Sequence, residues 1–340
     1  MGVMVLVTGA TGLVGFRILL AALTAGHAVR YVARSEEKSR MVFSNPAVQK
    51  LRCGNRLSSV IVPDTTVDGA FDSALDGITH VIHAGAPVPL PFYDPVTQVF
   101  EPTLRSVASL LESALKAPTV QRVVITASIV SNLPLSGNPP TTPTYGWSRE
   151  PMPDPVPTAF DNPSQAYHVC KVIQLHDTDE FVKTRNPKFS VSHIMPGYVF
   201  GRNEFVLDAK AMQEANSSNN LLMMAMLGGE LPYPIHESFV HVDDVANAHL
   251  SAAFMDPKND EPHDFGIALK ADFTTIFGHV ENAFPKAVAA GIFKRGKLPP
   301  IPLEYDSSDM EKILGRFKSF EDAVVDVAGQ YLETLGAEKA

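Results

Sequence analysis

A glycine turn near the start of the chain constrains everything after it. Val3 to Val7 is an unbroken apolar run, short enough for one buried parallel strand. Thr8-Gly9-Ala10-Thr11-Gly12-Leu13-Val14-Gly15 follows, and an apolar-periodic stretch then runs from Leu13 to Leu23. The order is strand, glycine turn, helix, with the glycines at G-x-x-G-x-x-G spacing. Gly9 permits the tight turn, Gly12 lets the backbone approach a pyrophosphate, and Gly15 lets the helix pack closely on the sheet. The free N–H groups and positive dipole end of the helix then face the phosphates. Three glycines alone are a weak signal, and a glycine turn that binds nothing is the bland alternative, although ligands in such sheets usually sit at this crevice. Their position between a strand and a helix points to a dinucleotide.

The rest of the first half alternates in the same way. Strands are expected at Ala28 to Ala33, Ser58 to Val62, Thr79 to His83, Gln121 to Ala127 and Phe189 to Ile194. Helices are expected at Glu36 to Leu51, interrupted by Pro46, at Phe71 to Leu75, at Val96 to Leu115 and at Ser164 to Thr184, with Asp161 or Asn162 as cap. Such alternation predicts an α/β fold with a Rossmann-type, doubly wound parallel sheet. Asn132 to Pro163 is too proline-rich for a helix and reads as a long functional loop. Beyond Pro196 the pattern becomes irregular, apart from a helix entered through Phe239 to Asp244, a strand at Asp264 to Ala268, and helices at Thr274 to Ala283, Ser308 to Leu314 and Phe320 to Leu335. We expect a nucleotide domain over residues 1–195, with 236–258 crossing back into it. A smaller C-terminal substrate lobe is expected over 196–235 and 259–340.

Composition excludes several classes. The chain has 340 residues and a formal net charge of -9, which argues against general nucleic-acid binding. Cys53 and Cys170 form neither a C-x-x-C pair nor a metal spacing, so reduced thiols, no metal and a cytoplasmic setting are expected. No apolar run is long enough to span a bilayer. The immediate entry into a strand predicts no signal peptide, Leu6 argues against myristoylation at Gly2, and Glu338-Lys339-Ala340 is not a peroxisomal address.

Tyr167 and Lys171 are four residues apart on an expected helix and so share a face. A free tyrosine has a pKa of about 10, and a neighbouring ammonium favours the phenolate, giving a phenol able to exchange a proton with an oxygen. The same lysine can hydrogen-bond a ribose. Ser128 follows the expected fifth strand at its carboxyl end, with Ser131 as its rival. At the end of the second strand stands Ala33-Arg34, with no acid for a ribose 2′-hydroxyl. A guanidinium pairs bidentately with phosphate, so NADPH/NADP+ is expected over NAD. Glu36 and Glu37 read as the acidic first turn of the next helix.

Thr8 to Gly15, Ser128 and Tyr167 to Lys171, in this order, resemble the extended short-chain dehydrogenase/reductases. Ala33-Arg34-Ser35 with Lys38, His83 to Pro87, Arg122 to Ser128, Pro196 to Gly201 and Val242 to His249 resemble its dihydroflavonol-reductase-like branch, including fungal NADPH-dependent carbonyl and aldehyde reductases. The resemblance implies that Gly9, Thr11, Gly12, Leu13, Val14 and Gly15 surround the pyrophosphate and that Arg34 and Lys38 meet the 2′-phosphate. It places Asp64, with Val62 or Thr65 close by, at the adenine, Ala84 and Ala86 at the ribose and nicotinamide, and Pro196, Gly197 and Val199 at the nicotinamide. Ser128, Tyr167 and Lys171 would be catalytic. The implied activity is hydride transfer to the carbonyl of a medium-sized hydrophobic or aromatic ketone or aldehyde, in a monomer or homodimer. A nucleotide-sugar epimerase or dehydratase, a hydroxysteroid-type dehydrogenase and a non-catalytic NADP sensor are the alternatives.

Two departures from the family stand out. Many members carry a helix asparagine that supports the lysine, whereas Pro102 to Ser106 offers only Arg105 nearby. Gly85 stands where Ser or Thr is frequent, which would enlarge the pocket. The expected lining is Pro87 to Tyr93, Ser131 to Pro163 and Tyr198 to Pro234. His83 reads as a satisfied strand-end imidazole, and His241, Asp243 and Asp244 as helix-capping groups. His236 and Glu237 read as a solvated loop, Trp147 as the anchor of the proline-rich loop, and Met223, Met224 and Met226 as core or pocket filling.

Overall fold

The computed structural model describes residues 3–255 and 264–337. The sequence-based expectations for Gly2, for the 256–263 stretch and for the last three residues therefore fall outside the described chain.

Seven parallel strands form the central sheet, in the order Phe265–Ile267, Ser190–Pro196, Arg122–Thr126, His80–His83, Met4–Thr8, Ala28–Ala33 and Leu57–Ile61. Both faces are covered, which is why the strands are apolar runs rather than alternating ones. Within the first strand, Val5 and Val7 join one core cluster, and Leu6 points to the opposite one. Helices Leu13–Thr24 and Val242–Phe254 pack on the first side. Glu101–Lys116 and Pro163–Arg185 contribute to the second. Strand order reverses between Met4–Thr8 and its neighbour His80–His83. The crevice beyond Thr8 and His83 is thus the topological switch point, where open α/β sheets bind ligands.

Strand Phe265–Ile267, within the segment assigned to the second lobe, completes this sheet. Helix Ser308–Leu314 buries Met310 in the same core. The remaining later chain builds a separate core, in which Phe200, Met223, Met226, Phe239 and Phe320 meet helices Asn219–Met226, Ile276–Ala283 and Phe320–Leu335. A three-stranded sheet, Leu269–Lys270, Ser238–His241 and Tyr198–Phe200, lies between the two.

Several local expectations are revised. Phe71 to Leu75 forms hydrogen-bonded turns, not a helix. Phe71, Ala74 and Leu75 are fully buried, so packing rather than helix propensity shapes the segment. The stretch from Val96 begins as a π-helix, Pro95–Phe100, capped by Asp94, and becomes α-helical at Glu101. Pro102 lies in that first α turn, just past the junction of the two helical segments. The proline-rich loop is ordered by long-range partners. Thr144–Tyr145 pairs with Tyr305–Asp306, Arg149 forms an ion pair with Asp264, and Asn132 bonds the carbonyl of Ser148 and the hydroxyl of Tyr305. Trp147 is not the anchor. It is 67% exposed and merely stacks on Tyr145.

Candidate active site

Gly9 has φ of +72°, and a Cβ there would sit 2.7 Å from the carbonyl oxygen of Ala84. A Cβ on Gly15 would lie 2.3 Å from the Gly9 carbonyl oxygen, so this glycine lets the helix seat on the turn. Gly12 differs: it is exposed, and a Cβ there would meet only Gly9 O at 3.5 Å and otherwise project outward. Helix Leu13–Thr24 has no side-chain cap and no acid in its first turn, leaving its N–H groups available. By contrast the Glu36–Ser44 helix is capped by Ser35 and carries Glu36 and Glu37. An uncapped, acid-free N-terminus behind an open glycine suits an anionic ligand.

The flanking residues fall around this turn unevenly. Thr11 is half-buried beside it, while the Leu13 side chain is buried in the core and Val14 packs against it, so both offer the turn only their backbone. Arg34 and Lys38 are exposed just past the Ala28–Ala33 strand. Asp64 is exposed nearby and accepts from the Thr66 N–H and hydroxyl, which hold its carboxyl below the usual range, with help from Arg34. Thr65 is half-buried in the same loop, and Ala84 and Ala86 follow the fourth strand. Pro196 is buried at the end of its strand, and Gly197 is wedged against Ala268, Ser238 and Phe239. The Val199 side chain lies in the core, and its carbonyl accepts from the Ser218 hydroxyl at 2.5 Å. Gly85 does not enlarge a pocket: a Cβ there would approach Thr8 Oγ1 at 3.1 Å and Gly9 N at 3.2 Å.

Ser128, Tyr167 and Lys171 converge beside this crevice. Helix Pro163–Arg185 starts with Asn162, not Asp161, as its cap. Ser128 is buried after the Arg122–Thr126 strand and hydrogen-bonds the Tyr167 phenol. Its rival Ser131 is turned away, donating to the Ser128 carbonyl at 2.5 Å. Lys171 is 1% exposed, donates to the Thr126 carbonyl at 3.2 Å and to Gln174 Oε1 at 2.8 Å, and lies 5.6 Å from the centre of the Tyr167 ring. Burial lowers the Lys171 pKa to about 8. The expected lowering of the Tyr167 pKa is not observed. Burial outweighs the Ser128 hydrogen bond and pushes the phenol up to about 12, so at neutral pH it carries its proton.

His83 is satisfied as expected, with Nδ1 3.0 Å from Thr8 Oγ1, and burial pushes it down to about 3. His241 caps helix Val242–Phe254 through the Asp243 N–H, while Asp243 pairs with Arg17 and Lys318 and Asp244 accepts from the Lys318 N–H. His236 and Glu237 are not a solvated loop. Ile235–His236 pairs with Pro300–Ile301, Glu237 is buried, and burial plus nearby His168 lowers the His236 pKa. Arg105 faces solvent beside Glu101.

Sequence reasoning missed Gln174, and it placed Tyr198 and Tyr233 only within the expected pocket lining. The phenol of Tyr198 is near those of Tyr167 and Tyr233, and burial raises its pKa. Strand alternation carries the signal for Tyr198: with Val199 committed to the nucleotide-domain core, its neighbours Tyr198 and Phe200 face the other way. For Gln174 the signal is helical spacing, three residues beyond Lys171 on the same helix. Among the described residues no His, Cys, Asp and Glu cluster fits a metal, and no helix is long and apolar enough to cross a membrane.

Residues 5–268 match the NAD dependent epimerase/dehydratase family. The chain belongs to this family. It is the extended short-chain dehydrogenase/reductase type that the motifs resemble. An NAD-dependent epimerase/dehydratase of Alternaria alternata is 34% identical over 92% of this chain and 93% of its own. A ketoreductase of Cercospora nicotianae is 32% identical over 97% and 95%. The structure of yeast methylglyoxal/isovaleraldehyde reductase, solved with NADPH, superposes with a TM-score of 0.82 at 23% identity, covering 98% of this chain and all of that one. At that identity the superposition speaks to the fold.

Proposed function

We propose that this family member is an NADPH-dependent reductase of ketones or aldehydes. The observation that carries the reading is the Ser128–Tyr167–Lys171 constellation beside the switch point of the sheet, two strands from the open glycine turn. The ketoreductase name of a full-length relative supports it.

The residues present fit the dinucleotide. Gly9, Thr11, Gly12 and Gly15, with the backbone of Leu13 and Val14, would hold the pyrophosphate. Arg34 and Lys38 would hold the 2′-phosphate, Asp64 and Thr65 the adenine end, and Ala84, Ala86, Pro196, Gly197 and the backbone of Val199 the nicotinamide half. NADPH supplies the hydride when bound. Tyr167, protonated at neutral pH, gives its proton to the substrate oxygen. The Ser128 hydroxyl donates to that same oxygen and fixes it against the phenol. The Lys171 ammonium stabilises the phenolate that forms. Substrate enters between the nucleotide domain and the lobe built by 196–235 and later chain, where Tyr198, Tyr233 and the 87–93 loop offer aromatic and apolar surface for a medium-sized hydrophobic carbonyl compound.

Incubation with NADPH and a panel of aromatic ketones, β-ketoesters and aldehydes should consume one NADPH per alcohol formed. A nucleotide-sugar epimerase would turn over its substrate with no net loss of cofactor, and that result overturns the reading. Arg34→Ala tests the cofactor choice. Losing a charge-assisted contact of about 1.5–3 kcal/mol should raise the NADPH KM roughly 10- to 100-fold and leave the NADH KM within about two-fold. Equal effects on both cofactors would remove Arg34 from the 2′-phosphate site.

A further inference from the structure

Lys171 is a buried cation with no acid beside it. Among the described residues it takes part in no ion pair, and an ammonium taken from water without acceptors is strongly disfavoured. The groups around it are neutral. On its own helix are Tyr167 and Cys170, whose thiol burial pushes up to about 11. From strand His80–His83 comes His83, down at about 3. Strand Arg122–Thr126 contributes a backbone carbonyl, that of Thr126. Gln174 is one helical turn further on, itself 1% exposed, and among the described residues it alone supplies a side-chain acceptor, at 2.8 Å.

Donor arithmetic defines what this achieves. An ammonium has three N–H donors. Thr126 O and Gln174 Oε1 take two, leaving one for the cleft, where the Tyr167 ring lies. The amide orientation is also determined. Nε2 of Gln174 is buried and donates to no acceptor among the described residues, and the reverse orientation would set two donors against each other.

We infer that Gln174 is the positioning residue of the active site, holding the Lys171 ammonium charged and aimed at Tyr167. The inference rests on the reductase reading for its consequence in catalysis, but not for its direct readout. That readout is the titration of Lys171 itself, followed by NMR in protein carrying ε-13C lysine, with the resonance assigned by Lys171→Met. Gln174→Leu keeps the bulk and removes the acceptor, so the charged form loses support. The Lys171 midpoint should fall by about one pH unit, and the alkaline limb of kcat should move down with it, costing about five-fold in kcat at pH 8. Gln174→Glu adds a negative charge and should move both upward. A role confined to packing would shift neither in opposite directions. Unchanged midpoints, or shifts of the same sign in both variants, overturn the inference. Should the leucine variant not fold, the glutamate variant decides alone, and no upward shift counts against it. If the midpoints move as expected while no carbonyl compound is reduced, Gln174 keeps its place and the reductase reading falls.

Discussion

Tyr167→Phe should leave a folded protein that binds NADPH within about two-fold of the parent and turns over about 10²- to 10⁴-fold more slowly, the usual contribution of a positioned general acid. The substitution removes one oxygen from a half-buried ring whose packing partners stay in place, so little stability is at stake. What disappears is the proton. In the parent the phenol is protonated at neutral pH, burial raising further a pKa already well above it, and it is directed by Ser128. Among the described residues no neighbour replaces it: Ser128 has no base hydrogen-bonded to it, and Tyr198 is itself a desolvated phenol without a lysine at hydrogen-bonding distance. Stopped-flow measurement of NADPH oxidation, beside fluorescence titration of the cofactor, separates the two effects. Parental turnover in the phenylalanine variant would take Tyr167 out of the chemistry.

The second large effect divides the glycine turn in two. Gly9→Ala forces an L-residue to a φ of +72° and places its Cβ 2.7 Å from the Ala84 carbonyl oxygen. Left-handed strain of about 1–2 kcal/mol and overpacking of about 1–3 kcal/mol act together, a large part of the roughly 5–15 kcal/mol that holds a domain. The melting temperature should drop steeply and soluble yield with it. Gly12→Ala should do the opposite. Its Cβ meets nothing closer than 3.5 Å, so the melting temperature should stay within a few degrees, while the methyl fills the space a pyrophosphate would occupy and the NADPH Kd rises at least about ten-fold. Thermal scanning with and without NADPH reads both. A Gly12→Ala variant that binds NADPH as the parent does would dissociate this turn from the cofactor.

These variants follow the line between what was legible in the sequence and what was not. The parallel sheet was legible because a strand buried on both faces must be apolar throughout, and the helices between such strands keep their own period. Arg34 was legible because the residue ending the second strand is defined by chain order alone. Short elements were less so. Phe71 to Leu75 carries helical spacing, but its three buried side chains are satisfied by turns. Trp147 looked like an anchor because large aromatics usually are, yet the loop is tied down by Asn132, Arg149 and a two-residue strand pair.

At the site the division is sharper. Chain order by itself determined the glycine turn, the Tyr167–Lys171 spacing and Ser128 at a strand end, since each follows from local geometry within a few residues. Tertiary structure alone decided the electrostatics. It set burial above the lysine in governing the Tyr167 phenol, turned Ser131 away from the cleft, and brought Tyr198 near Tyr167 from 31 residues away. Spacing tells which side chains share a face. Only packing tells how much water each has lost, and desolvation is what sets the charge a buried group can carry.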